Sequence, residues 1–114
     1  MNSKAITEID TYQRLAARTS KTHLPTKDRV LDAAIGLVGE VGELANYLKK
    51  GIYHGHMIDF KFVQEELGDS LWYIAELASI HGVKLSQVAT LNNLKLIERY
   101  PNGYNDKDSR ERKR

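Results

Sequence analysis

The stretch GLVGEVGELANYLKK, residues 36–50, decides the fold because it combines the apolar spacing of a helix with two acids and three glycines. Each interior glycine costs a helix about 1 kcal/mol relative to alanine. A carboxylate on an apolar face is also unfavourable unless something compensates its charge. Gly36, Gly39 and Gly42 are either tolerated irregularities or a strip that lets another backbone or a ligand come close.

The two acids of this stretch share one face of the predicted helix. At about 100° per residue, Glu40 and Glu43 project about 60° apart and lie one turn from each other along the axis. Leu37, Leu44 and Leu48 fall within about 80° of Glu40 on the same helical wheel. Both acids therefore lie within or beside the apolar stripe.

A second stretch, EELGDSLWYIAEL, repeats the pattern further along the chain. Glu66 and Asp69 are again three residues apart, and apolar side chains cluster around the direction of Glu66. Glu65 and Glu76 point off that stripe and are predicted to be surface charges. If the two stripes pack together, four carboxylates converge in a partly dry space.

Such convergence requires either proton uptake or cations, because the mutual repulsion is otherwise severe. Hard oxygen ligands, without cysteine or histidine in either motif, favour Mg²⁺ or Mn²⁺ over zinc or copper. Magnesium held by carboxylates keeps open positions for water and phosphates, as in nucleotide sites. The alternative is that each pair is an ordinary exposed one, since acids three residues apart are common on helix surfaces.

The remaining spacing predicts an all-α fold resembling a four-helix bundle, since no alternating strand pattern competes with the helical ones. We expect one domain over residues 1–104 and a charged tail over residues 105–114. The predicted helices span residues 7–19, residues 27–50 with a stop at Gly51, the segment from a cap at Asp59 to before Gly82, and a segment from near Leu85 or Ser86 to Pro101.

Composition fits a soluble globular domain, with 41% hydrophobic and 28% charged residues among 114. No apolar run approaches the roughly 20 residues of a membrane span, and the first residues lack the apolar core of a secretory signal. The absence of cysteine excludes disulfides and thiolate chemistry. We therefore expect a cytoplasmic protein that does not enter membranes.

The net charge of +2 comes from the tail, whose ten residues hold five basic and three acidic side chains, whereas the body carries 12 of each. Nucleic-acid binding usually needs a concentrated basic surface, so a nucleic-acid partner is not favoured. The tail is predicted to be a solvated, frayed terminus.

The motifs EVGE, ELGD and NNLKLIERYPNGY together resemble the MazG-like all-α nucleoside triphosphate pyrophosphohydrolases over nearly the whole chain. The resemblance implies hydrolysis of a nucleoside triphosphate between the α and β phosphates to the monophosphate and pyrophosphate. It also implies a homodimer or a dimer of dimers, with pockets completed by a neighbour. The metal ligands that it implies are Glu40, Glu43, Glu66 and Asp69, with Mg²⁺ as the ion and Mn²⁺ as a second candidate.

The resemblance also implies that one acid orients or deprotonates the attacking water, and we favour Glu43 over Glu40. Asn92, Lys95 and Arg99 share one stripe of the fourth helix. In related proteins the matching stretch helps to hold the nucleotide, so the same role is implied here. Without the acids, a solvated face would be the preferred interpretation of this stripe.

Three further side-chain types receive predictions from their positions. Tyr73, one turn beyond Asp69, is predicted to line the pocket, although a core tyrosine is nearly as good an interpretation. Trp72 points elsewhere and is assigned to packing or an interface. His54 and His56 are predicted to be solvated rather than metal-bound, since no further ligands accompany them.

Two other functions compete with hydrolysis. The same acids would serve a helical module that binds a nucleotide–Mg²⁺ complex or a protein partner without turnover. The basic tail would serve nucleic-acid binding, which ranks last because the body is neutral.

Overall fold

The computed structural model describes residues 5–112, which form α-helices and no β-strand. The all-α prediction is confirmed. A 3₁₀ turn, Ala17–Thr19, directly follows the first helix. Within residues 5–112 the five helices are α1 Ile9–Ala16, α2 Thr26–Tyr53, α3 Phe60–Ile80, α4 Leu85–Arg99 and α5 Asp106–Arg110.

The two longest helices, α2 and α3, form an antiparallel pair and make the most extensive helix–helix contact. Near the start of α2, the ring of Tyr73 lies against Gly36. Near its end, the rings of Tyr47 and Phe62 stand 4.3 Å apart. Residue numbers therefore fall along α3 as they rise along α2, which brings the acids of both helices to the same height.

The connection between α2 and α3 corrects one predicted boundary. Gly51 does not end α2, which continues to Tyr53, and Gly55 instead adopts the left-handed conformation with φ +70°. A Cβ atom at Gly51 would collide with the side chain of Ile58, so this glycine is needed where the connection folds back onto the helix. The predicted cap of α3 is confirmed, because the Asp59 carboxylate accepts from the backbone N–H of Lys61 at 2.9 Å.

Helix α1 ties α3 to α4 through the amide of Gln13. Its Nε2 donates to Ser79 Oγ at 3.1 Å and to the Val83 carbonyl at 2.9 Å, while its Oε1 accepts from the Leu85 N–H at 2.7 Å. A side chain of α1 thus satisfies backbone groups at the turn before α4, which fixes the direction in which α4 leaves.

A carboxylate of α1 also caps α4. Asp10 accepts from the backbone N–H of Ser86 at 2.9 Å and from its hydroxyl at 2.5 Å. The Ser86 side-chain hydrogen bond, followed by the backbone one, lowers the pKa of Asp10 below its ordinary value. Ser86 itself lies inside the first turn, so the helix begins at Leu85, with its cap supplied from another helix.

The single chain buries little apolar surface. Among the described residues, the buried apolar ones are Ala33, Ala75, Ala78 and Leu85. The Cα radius of gyration is 17.3 Å, against about 13 Å for a compact chain of this length. Helix α4 packs chiefly on α1 rather than along α2 and α3, so one chain alone does not close a four-helix bundle. Completion by a second copy stays a prediction.

The charged tail is not frayed over its described part, which corrects the sequence prediction. Asn105 caps α5 by accepting from the Asp108 N–H at 2.7 Å, and Asp106 adds a second acid to the first turn, which the helix dipole favours. Helix α5 and the end of α4 enclose a pocket of about 270 Å³, lined by Glu98, Arg99, Pro101, Asp108, Glu111 and Arg112.

Within residues 5–112, no helix has both the length and the apolar character that crossing a bilayer needs.

Candidate metal and substrate site

Three of the four predicted acids converge between α2 and α3. Glu40, Glu43 and Glu66 each offer one carboxylate oxygen, and these oxygens all lie within 4.8 Å of one another. Glu66 is 8% exposed, Glu40 is half-buried and Glu43 is exposed. The antiparallel pairing of the helices produces this acidic cluster, since it places the first acid of each motif opposite the other.

The proximity of the carboxylates raises the pKa of Glu66 to about 7. The main cause is a side-chain hydrogen bond shared with Glu40, followed by burial and by the negative charges of Glu40 and Glu43. Glu66 therefore holds a proton over much of the range in which an ordinary glutamate is ionised.

This shift predicts how stability depends on pH in the absence of metal. The pKa of Glu66 is higher in the folded chain, about 7, than the ordinary 4.5, so the folded state binds more protons between these values. We expect the free energy of unfolding to fall as pH rises from about 4.5 to about 7, and this contribution to be constant above that. Urea titrations in EDTA at a series of pH values measure it, and Glu66→Gln should remove this component. An unchanged pH profile in that variant contradicts the assignment.

Two oxygens of the acidic cluster indicate what else the cluster accommodates. Glu40 Oε2 and Glu66 Oε2 are buried and have no hydrogen-bond partner. Buried acceptors without partners are unfavourable, and an ionised carboxylate has only acceptor oxygens. A hard divalent cation coordinated by oxygen fits this donor set.

The fourth acid, Asp69, lies beside the acidic cluster rather than within it. It is exposed, and with Glu40 it lines a pocket of about 250 Å³ whose other walls are Trp72 and Tyr73. We call this the aromatic pocket. Burial, and then the charge of Asp69, raise the pKa of the Tyr12 hydroxyl on α1 above its ordinary value. Asp69 is thus placed to contact whatever the aromatic pocket holds.

Tyr73 lines the aromatic pocket, at the position that the sequence predicted. Its ring lies so close to α2 that a Cβ atom at Gly36 would collide with it. By contrast, Gly39 and Gly42 have no atom within 4 Å of such a Cβ position. The close approach of Tyr73 therefore explains why residue 36 is a glycine, whereas Gly39 and Gly42 face open space.

The sequence analysis assigned Trp72 to packing or an interface, and the structure places it in the wall of a pocket as well. It lines the aromatic pocket, and its Nε1 donates to the Ala16 carbonyl at 3.1 Å and to Thr19 Oγ1 at 2.8 Å. Trp72 points about 120° away from Glu66, but it is three residues after Asp69 and about 60° from it. This spacing was the signal in the sequence that could have placed Trp72 beside Asp69, because a broad indole ring can extend over an angle of that size.

The prediction that Glu76 is a surface charge is wrong. Glu76 is buried, with 7% exposure. Its carboxylate accepts from Ser20 Oγ at 2.7 Å and from the Arg29 guanidinium at 3.4 Å, and Arg29 also donates to Ser20 at 2.9 Å. Glu65 is exposed, as predicted. The network of Ser20, Arg29 and Glu76 fastens the connection before α2 onto α3, one turn beyond Trp72.

The predicted substrate residues of α4 are not brought to the acidic cluster within one chain. Asn92 and Lys95 line a separate groove of about 560 Å³ that begins at the turn before α4. Arg99 lines the pocket beside α5. Their assignment to the nucleotide stays a prediction.

The two histidines of the connection between α2 and α3 lie outside the acidic cluster. His54 and His56 are exposed, and their ring centroids are 6.5 Å apart. Among the described residues, the side chains close enough together to hold a metal ion are those of the acidic cluster, and neither histidine is one of them.

Comparison with known proteins agrees with the motifs. The sequence-family model of the MazG nucleotide pyrophosphohydrolase domain matches residues 31–104, which include both acid pairs and α4. The Gene 37 protein of Mycobacterium phage L5 is 43% identical over 75 residues, which cover 60% of this chain and 64% of the phage protein. No solved structure matches. A family match over most of the chain, on a helical fold that gathers the motif acids, shows that this protein belongs to the MazG nucleotide pyrophosphohydrolase domain family.

Proposed function

We propose that this protein hydrolyses nucleoside triphosphates, ribo- or deoxyribonucleotides, between the α and β phosphates, giving the monophosphate and pyrophosphate with Mg²⁺ or Mn²⁺ as cofactor. Family membership supports a nucleotide pyrophosphohydrolase. The observation that carries the finer proposal is the acidic cluster, with its two buried carboxylate oxygens that lack partners. We further expect the protein to act in the cytoplasm.

The roles of the acids follow from their burial. Glu40 and Glu66 have the buried oxygens and are proposed as the inner ligands, with Glu43 and Asp69 completing the set. When bound, the cation neutralises the polyphosphate and polarises the α-phosphorus. Glu66 must lose its proton before it binds a cation, because the protonated acid offers fewer acceptor sites.

Glu43 remains our choice for the residue that orients and deprotonates the attacking water. It is adjacent to the ligands yet exposed, so water reaches it directly. Glu40 is half-buried and has a buried oxygen without a partner, which suits a ligand better than a base.

A panel assay tests this function. We expect purified protein with Mg²⁺ to release pyrophosphate and the matching monophosphate from at least one nucleoside triphosphate, and EDTA to stop the reaction. Release of inorganic phosphate instead of pyrophosphate would mean cleavage between the β and γ phosphates and would contradict the proposed reaction. Metal-dependent nucleotide binding without any product, from protein with a normal helical circular dichroism spectrum, would favour the non-catalytic binding module.

We propose that a second copy of this chain completes the site. Helix α2 exposes an apolar face on the side opposite Glu40, where Ile35 is 68% and Val38 is 73% exposed and Gly42 faces open space. Helix α4 exposes its own apolar side chains, which are Val88, Leu91, Leu94, Leu96 and Ile97. Packing between copies would cover these apolar surfaces, and we propose separately that α4 of one copy meets the acidic cluster of its neighbour.

Light scattering coupled to size-exclusion chromatography tests the assembly. We expect the wild type to form a dimer or tetramer, and Val38→Glu to shift it toward monomer because a charge on an apolar interface is strongly unfavourable. Gln64→Glu adds the same charge at an exposed polar position of α3 and serves as the control. A monomeric wild type contradicts the proposal.

A further inference from the structure

The aromatic pocket contains a tryptophan whose polar group is already committed. The indole of Trp72 has one donor, Nε1–H, and it is shared between the Ala16 carbonyl and Thr19 Oγ1. Both partners belong to the segment that ends α1, so the ring is held from behind. Towards the aromatic pocket, Trp72 can offer only apolar aromatic surface.

Tyr73 forms a rigid corner with this indole. The two rings lie 5.2 Å apart and nearly perpendicular, at 88°. The Tyr73 hydroxyl lies 2.9 Å from the position that a Gly36 Cβ would occupy, so it is directed toward α2. Any flat group entering the corner therefore meets one ring face and one ring edge.

The other walls of the aromatic pocket explain which part of a nucleotide would lie there. Glu40 belongs both to this pocket and to the acidic cluster, and Asp69 stands beside it. A polyphosphate held at the acids must direct its nucleoside end away from them, and the aromatic corner is adjacent. A volume of about 250 Å³ is below the roughly 300–1,000 Å³ that encloses a whole drug-sized ligand. It would hold only part of a nucleotide.

We propose that the nucleobase of the substrate lies against the ring of Trp72, and that this contact accepts any planar base without discriminating its hydrogen-bonding edge. Stacking on an aromatic ring tolerates every base because each has a π-face. The carboxylates of Glu40 and Asp69 are assigned to cations and are not available to distinguish bases. This inference rests on the proposed function, since it identifies the nucleoside end of that substrate.

Trp72 is the chain's single tryptophan, so its fluorescence reports directly on this contact. We expect saturable quenching when α,β-methylene analogues of a purine and of a pyrimidine nucleoside triphosphate are added with Mg²⁺. Inorganic tripolyphosphate with Mg²⁺ supplies the charge without a base and should quench far less. Equal quenching by tripolyphosphate, or calorimetric binding of the analogues without quenching, overturns the proposal.

Kinetics of variants provide the second measurement. Trp72→Leu should raise KM about tenfold for purine and pyrimidine substrates alike, with kcat changed less than about threefold, and Trp72→Phe should recover most of the loss. Gln64→Leu makes a similar change at an exposed position of the same helix, so its KM should stay near the wild-type value. An unchanged KM in Trp72→Leu refutes the inference.

The two measurements separate this inference from the proposed function. Hydrolysis with no effect of Trp72→Leu leaves the pyrophosphohydrolase intact and refutes the base contact. Base-dependent quenching without any product supports the contact and contradicts catalysis. A rise in the KM of Trp72→Leu for substrates of only one base would overturn the claim that the contact does not discriminate the hydrogen-bonding edge of the base.

Discussion

Glu66→Gln should lower kcat by about 10²- to 10⁴-fold, since a bound metal contributes several kcal/mol of transition-state stabilisation and each 1.36 kcal/mol is a factor of ten. The amide is isosteric but uncharged, so it weakens the cation site without creating a cavity. Initial rates of pyrophosphate release in saturating Mg²⁺ measure the effect. Glu65→Gln, the exposed neighbour on the same helix, should retain the wild-type rate.

The same substitution should have the opposite effect on stability. Without metal, Glu66→Gln removes one acid from a repelling cluster, so its melting temperature above pH 7 should equal or exceed that of the wild type. The increase in melting temperature on adding Mg²⁺, which the wild type should show, should largely disappear. A variant with wild-type kcat and a full Mg²⁺ effect would show that Glu66 is not a ligand.

Glu76→Ala should destabilise the protein by about 3 kcal/mol, because it leaves the Arg29 guanidinium without its carboxylate partner. We place the value at the low end for buried ion pairs because the Arg29 side chain is 20% exposed. Urea unfolding at pH 7.5 measures it. Glu76→Gln, which keeps an oxygen to accept from Ser20, should lose less.

Glu65→Ala is the matched control for this substitution. It deletes the same side chain from an exposed position of α3 and should change the free energy of unfolding by less than about 0.5 kcal/mol. Equal losses in Glu65→Ala and Glu76→Ala would contradict the structural role assigned to the network of Ser20, Arg29 and Glu76.

The sequence predicted the parts of this protein that depend on local periodicity. Helical spacing placed α2 and α3 and put Glu40 and Glu66 on their facing sides, and the antiparallel pairing required only a short connection. Asp59 was recognisable as a cap because its partner, Lys61, is two residues away. Local signals sufficed in each case.

The features that the sequence did not predict depend on residues far apart in the chain. Glu76 is buried because Ser20 and Arg29, 56 and 47 residues away, satisfy its carboxylate. Asp10 caps α4 from 76 residues away. A nearer contact was missed as well. The end of α2 was misplaced because Gly51 was interpreted as a terminating residue, whereas it makes room for Ile58 in the connection that follows. Composition and spacing carry no information on such pairings.

The position of α4 illustrates a further limit. Spacing correctly places Asn92, Lys95 and Arg99 on one helix, but Gln13 and Asp10 of α1 set the direction of that helix. The resulting arrangement separates these residues from the acids of the same chain. A sequence motif therefore does not specify whether one chain supplies all of its residues to one site.

Manganese titration of the metal-free protein, followed by electron paramagnetic resonance, tests most directly whether α2 and α3 together form a cation site. At pH 8, above the pKa of Glu66 of about 7, the wild type should bind at least one Mn²⁺ per chain saturably. Glu66→Gln should bind at least about tenfold more weakly, whereas Glu65→Gln should match the wild type. Indistinguishable Mn²⁺ binding by the wild type and Glu66→Gln would contradict the account.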